Sequence, residues 1–305
     1  MRKRLVILIV SLLSSPAFAG GMFLPGRGAR PLGRAGSFVA GADDGGALYY
    51  NPAGLADIDG VSALVDVGLV LQRTHYDRVD SGGNPQPGVD GSVDLLPIPT
   101  LTITWKPRKV PRLTVAGGVW VPYLGLNSYP ETGPQRYSSI TINGSLLVVM
   151  ELAAAYRITD HVWVGAGLQN MILKFKSRVD LSACTELNCA PEDPGFDALT
   201  DLDATSAFTP SGNFGLTIAY PKLRGAVALQ LPFFVRADGQ VHSRLPTDPF
   251  FANAMVVGSS ASVDFDLPLM LRAGIEYRPF RRLRVELGFD YEAWSMQKDL
   301  TIQPH

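Results

Sequence analysis

The residues of this chain best suited to acid–base, nucleophilic or metal chemistry are four histidines (His75, His161, His242 and His305) and two cysteines (Cys184 and Cys189). Nucleophilic catalysis needs a base held beside a hydroxyl or thiol and an acid that orients the base. The histidines are scattered, and only His242 and Asp248 lie near each other. Cys184 and Cys189 sit in a polar, proline-rich stretch with no His or third Cys nearby, so no metal site is expected. In an oxidising compartment the pair is expected to close a small loop disulfide. The run Gly26-Arg27-Gly28-Ala29-Arg30-Pro31 lacks the third glycine of a dinucleotide fingerprint and follows no strand pattern, which excludes that use. The sequence therefore predicts neither an enzyme nor a cofactor. Its formal net charge of −1 gives no electrostatic argument for nucleic acid.

What remains is residues 25–56, rich in Gly and Ala, with Arg27, Arg30 and Arg34, the adjacent Asp43 and Asp44, and Tyr49-Tyr50-Asn51-Pro52-Ala53-Gly54-Leu55 at the end. The stretch is too broken to cross a bilayer as a helix and does not alternate as a strand would. Asn51 precedes proline, which steers it away from helical geometry, and its amide both donates and accepts. Such a segment suits a plug inside a polar lumen, where every backbone group needs a partner.

The flanking elements fit that reading. Arg2-Lys3-Arg4, an apolar run over 5–13 and Ala17-Phe18-Ala19 form a secretory leader, residues 1–19. From residue 60 the dominant signal has period two: Leu283, Val285, Leu287, Phe289 and Tyr291 alternate with Arg284, Glu286, Gly288 and Asp290. Nine strands are expected, at 61–74, 95–106, 112–122, 145–158, 161–176, 211–220, 223–243, 259–278 and 283–302. Long connections (75–94, 123–144, 177–210 and 244–258) alternate with short ones at 107–111, 159–160, 221–222 and 279–282. Charged residues make up only 18 % of the chain. No run is long enough for a spanning helix, and only helices and closed barrels satisfy their backbone in hydrocarbon. The expected fold is all-β: a transmembrane antiparallel β-barrel over 59–305, with 20–58 as an N-terminal hatch in its lumen. Trp105, Tyr156, Trp163, Tyr220, Tyr277 and Phe280 gather beside the short turns, as a membrane girdle does. The ninth strand ends where a further outer loop should begin, so more wall is expected beyond it.

Residues 26–56, above all Ala47–Tyr50 followed by Asn51-Pro52-Ala53-Gly54-Leu55, resemble the hatch of the FadL/TodX family of outer membrane proteins, the long-chain fatty-acid and hydrocarbon porins. The resemblance implies a multi-pass barrel of fourteen strands in the outer membrane of a Gram-negative bacterium. It also implies a hydrophobic small-molecule ligand, release of that ligand into membrane lipid through a gap at a kinked third strand, and a monomer. Asn51, Pro52, Ala53 and Gly54 become the gating residues. In the third strand, Gly117-Gly118 followed by Pro122 is the candidate kink, because glycine lacks a packing side chain and proline cannot donate to a ladder. The run Leu231-Pro232-Phe233-Phe234 is a second candidate break. Apolar residues of the third and fourth outer loops, Phe196, Leu199, Phe208, Phe250, Phe251 and Met255, are candidate ligand contacts. Some relatives serve instead as secretion-system components that hold partner proteins, an alternative the sequence leaves open.

Overall fold

A computed structural model describes residues 24, 27–79, 83–122, 126–184, 189–190, 192–280 and 282–305. The expected leader at 1–19 lies outside them. Twelve strands among these residues form one antiparallel sheet: β1 (Val61–Val79), β2 (Pro85–Trp105), β3 (Leu113–Trp120), β4 (Leu146–Arg157), β5 (Val162–Ser182), β6 (Asp197–Ala219), β7 (Leu223–Gln230), β8 (Phe233–Ser243), β9 (Ser260–Leu267), β10 (Met270–Phe280), β11 (Leu283–Glu292) and β12 (Thr301–Pro304). Strands β1 to β7 pair in order, and β7 continues to β10 and β11. Beyond β6, a second tier of β8, β9 and β12 pairs above them.

That second tier corrects the strand count. The three expected strands at 223–243, 259–278 and 283–302 are each divided, at Leu231-Pro232, at Pro268-Leu269 and over 293–300. Proline supplies no ladder N–H, which accounts for the first two breaks. The divisions line up: Met270 pairs with Gln230 below them and Leu267 with Phe233 above. Two residues lie between the paired ends, so the inward-facing set changes parity. Below, Gln230 and Met270 are buried; above, Phe233, Val235, Val263, Phe265 and Leu267 are. A continuous 259–278 strand would have put Val263 and Tyr277 on one outward face. Instead Val263 is buried and Tyr277 exposed.

Two of the expected long loops are also largely strand: β1 and β2 extend through most of 75–94, and β5 and β6 through most of 177–210. The lower outward face carries Trp105, Tyr156, Tyr220, Tyr277 and Phe280, all exposed. Trp163 does not join that girdle. It faces inward, nearly buried, with the guanidinium groups of Arg157 and Arg224 at 5.0 and 5.1 Å from its ring centre.

The N-terminal segment packs on the inward face as two short helices, α1 (Ala29–Leu32) and α2 (Ala47–Tyr50), followed by a 3-10 turn over Pro52–Asp57. It touches Asp66 on β1, Trp120 on β3, Thr217 on β6, Arg272 on β10 and Glu286 on β11. A single compact segment that meets both ends of the sheet requires the sheet to wrap around it.

Candidate functional site

The hatch is seated by groups its own sequence supplies. Asn51 is fully buried; its Oδ1 accepts from Ala53 N at 3.1 Å and caps the 3-10 turn. Its Nδ2 donates to Val39 O at 3.0 Å and to Thr217 Oγ1 at 2.8 Å. Pro52 opens the turn, where its missing N–H costs nothing. Gly54 lies so close to Ala42 O that any side chain would collide with it. The Asn51-Pro52-Ala53 backbone rests on two glycines, Gly165 of β5 and Gly215 of β6, which are direct partners across the ladder.

Charged groups fasten the rest. One carboxylate, Glu286 on β11, accepts from three successive hatch amides, Val39, Ala40 and Gly41, at 2.9, 2.8 and 3.1 Å. Arg34 bridges Glu286 and the buried Glu276 at 2.7 and 2.6 Å. Arg30 pairs with Asp43 and Asp44 within the hatch. Burial works against the charge on Asp43, but hydrogen bonds and charge from Arg30 and Arg284 outweigh it and hold the carboxyl below its ordinary value. Asp264 and Asp266 on β9 do not meet the hatch arginines. The parity change turns them to the other face, beside Arg236.

Arg27 ties the hatch to the end of β3. Its Nε donates to Val121 O at 2.5 Å, its Nη2 donates to Pro122 O, and Leu24 N donates to the same Pro122 carbonyl at 3.2 Å. The guanidinium lies 4.2 Å from the Tyr49 ring centre and 5.4 Å from that of Trp120. Tyr50 completes the clamp by accepting from Arg27 N and donating to Arg27 O. Strand β3 leaves the ladder here, after only eight residues, whereas neighbouring β2 runs for 21. Pro122 thus stands where the wall is interrupted. Gly117 and Gly118 do not: both flanking ladders pass through them without a shift of register. Gly118 instead clears space for the hatch, since a Cβ there would lie 2.6 Å from Leu48 Cδ2. Cutting the clamp with Arg27→Ala is expected to expose the chain at Val121-Pro122 to protease in the otherwise folded protein, read as new cleavage products there.

The outer-loop candidates divide. Phe196, Phe250 and Phe251 pack on one another, with ring centres 5.1–6.5 Å apart. Leu199 and Phe208 belong to strand β6 rather than to a loop, and Phe208 is exposed on its outward side. Met255 is exposed. Cys184 and Cys189 are joined as a disulfide, their Cα atoms 5.7 Å apart. Among the described residues no cluster of His, Cys, Asp and Glu suits a metal ion.

Sequence reasoning names Glu286 among the lumen-facing acids that could pair with the hatch arginines, and Arg34 does pair with it. It missed Gly165 with Gly215 as the seat, since nothing in the sequence marks those glycines as partners.

A plug held on all sides by a sheet that wraps around it agrees with what the rest of the chain matches. The family model for outer membrane protein transport proteins (OMPP1/FadL/TodX) matches residues 10–304. The chain belongs to this family. Among solved structures, a FadL homologue of Pseudomonas aeruginosa superposes with a TM-score of 0.75 at 17 % identity, over 94 % of this chain and 72 % of that one. The toluene transporter TbuX of Ralstonia pickettii gives 0.61 at 17 % identity, covering 87 % and 74 %. The toluene transporter TodX of Pseudomonas putida gives 0.63 at 15 % identity, covering 93 % and 78 %. No curated protein sequence matches the chain. As an OMPP1/FadL/TodX protein, it is a β-barrel transport protein of the Gram-negative outer membrane. Its outward-facing Val65, Leu152, Leu168 and Leu287 therefore meet lipid.

Proposed function

We propose that this barrel carries hydrophobic small molecules inward across the outer membrane, with release sideways into the membrane where β3 leaves the wall, and with the hatch controlling that exit. On this reading residues 1–19 are a leader removed on export. The observation that carries the proposal is the Arg27 clamp, a direct connection between the hatch and the carbonyls of Val121 and Pro122. The similarity to proteins described as toluene transporters and to a FadL homologue supports a hydrophobic cargo. So does the apolar inward face above the hatch, made of Met171, Leu173, Phe233, Val235, Val263 and Phe265. The barrel interior of a water-filled channel would be polar at that level.

Uptake of radiolabelled oleate and of toluene by cells with and without the protein tests the reading. The protein is expected to raise the rate for at least one of the two. Asn51→Ala removes the cap of the 3-10 turn and leaves Val39 O without that donor, at a cost of roughly 2–4 kcal/mol to the seated hatch. Uptake is expected to fall several-fold in that variant. A native protein that moves neither compound would refute the proposal.

A further inference from the structure

The wall has a second interruption, far from β3. Strand β6 pairs with β8 from Thr200↔Ser243 to Thr205↔Asp238, and with β7 from Asn213↔Gln230 downward. Between those limits, residues 206–212 of β6 and 231–237 opposite form no ladder pairs with each other, seven residues on each lip, although β6 stays paired to β5 and β8 to β9. One backbone bond crosses near the lower end, from Leu231 N to Gly212 O at 2.9 Å. The other side of β6 is disturbed at the same height. Its register with β5 shifts between Met171 and Leu173, and the Asn170 side chain mends the bulge by donating to Ala207 O and accepting from Thr209 N.

Side chains close the slit where the ladder does not. Phe233 and Val235 are fully buried on one lip, and Ser206 and Thr209 bond to each other on the other. At the lower end the Gln230 amide reaches Leu231 O at 3.0 Å and Gly212 O at 3.3 Å. Irregular backbone at membrane depth is tolerated only where it is buried in protein or lines a cavity. Outside the slit lies such a space: an apolar groove of about 700 Å³ on the lipid-facing wall, reaching from Trp105 and Gly117 across Ala154 and Ala166 to Phe214 and Leu231. The groove meets the slit at its lower end, at Ser211, Gly212 and Leu231, where the buried Gln169, Asn213 and Gln230 line the inner side; higher up the slit is backed by the apolar Met171, Phe233 and Val235. The slit thus runs from the outer groove to the apolar lumen face with no strand ladder across it.

We infer that the slit between 206–212 and 231–237 is a second lateral portal, through which an apolar solute passes between the lumen and the outer-wall groove. The inference rests on the transport reading above and adds an exit that the β3 interruption does not supply. Passage here requires rotation of Phe233, withdrawal of the Gln230 amide and opening of two bonds at the lower end, Leu231 N to Gly212 O and Ser211 Oγ to Leu231 O, but not the breaking of a strand ladder.

The test is uptake of radiolabelled oleate and toluene by cells carrying the full-length barrel. Leu231→Trp fills the outer mouth from one lip and Pro210→Trp, a separate variant, from the other. Val227→Trp, also outward-facing but on paired β7, is the control. Folding of each is checked by heat-modifiable migration on gels, and two lips give two chances of a folded blocking variant. At least a five-fold fall in rate in a folded lip variant, with Val227→Trp unchanged, is the expected result. Folded lip variants that transport at the native rate would overturn the portal and leave the transport reading standing. A native barrel that moves neither compound would overturn both.

Discussion

Glu286→Ala is expected to loosen residues 34–41 of the hatch on the β10–β11 hairpin and to expose them to protease in a barrel that remains folded. One carboxylate on β11 accepts three consecutive hatch amides and half of the Arg34 bridge. Hydrogen bonds to a charged acceptor contribute about 1.5–3 kcal/mol each, though not additively. Removing one partner of a buried ion pair costs roughly 3–5 kcal/mol, because the other charge is left without compensation. Arg34 keeps Glu276, which limits the loss on that side. The net expectation is a local destabilisation of about 3–5 kcal/mol, concentrated in residues 34–41. Glu286→Gln keeps one acceptor but turns an amide N–H₂ toward donors, so it is expected to fall between the native protein and Glu286→Ala. Limited proteolysis followed by mass mapping reads the outcome. A hatch as protected in Glu286→Ala as in the native protein would show that the cradle is not a tether.

How much of this was legible in the sequence depends on which rule each residue obeys. Period-two alternation located the membrane-level part of the wall, since alternation is a property of the pleat and needs no partner to be seen, but it missed the outer extensions of β1, β2, β5 and β6. It also concealed the crease. Val263, Phe265 and Leu267 alternate with Asp264 and Asp266 in phase with Leu271 to Tyr277, and only the position of Pro268 hints that the inward face changes there. Leu231-Pro232-Phe233-Phe234 carried the same hint, and there the division was anticipated. The hatch was legible because Asn51 and Pro52 act locally, within one turn. Its seat was not: Gly165 and Gly215 are 50 residues apart in the chain and become a pair only through the β5–β6 register. Gly117-Gly118 misled for a related reason. A glycine that admits a neighbouring side chain and a glycine that kinks a strand look alike until the neighbour, here Leu48, is known.

That distinction sets up a sharp comparison among glycines. Gly165→Ala is expected to unseat the hatch, because the new methyl would fall inside contact distance of the Pro52 carbonyl group and of Ala53 N. Gly215→Ala would drive a methyl into Asn51 Oδ1 and leave only 2.9 Å to Ala53 N. In both cases the obstructing atoms are backbone, or a side chain already held by three hydrogen bonds, so the strain cannot be relieved by a rotamer change. Overpacking of this kind costs about 1–3 kcal/mol per site and more where nothing can give. Because the two glycines face the same segment, their effects are not expected to add. Gly225→Ala on β7 is the control: nothing lies within 4 Å of its Cβ position, so it is expected to leave the hatch in place. A displaced hatch opens the lumen to polar solutes. Cells with Gly165→Ala or Gly215→Ala should thus become sensitive to large hydrophilic antibiotics, while those with Gly225→Ala remain resistant. Equal resistance in all three, with the barrels folded, would mean that the hatch has room to shift and that these glycines do not fix it.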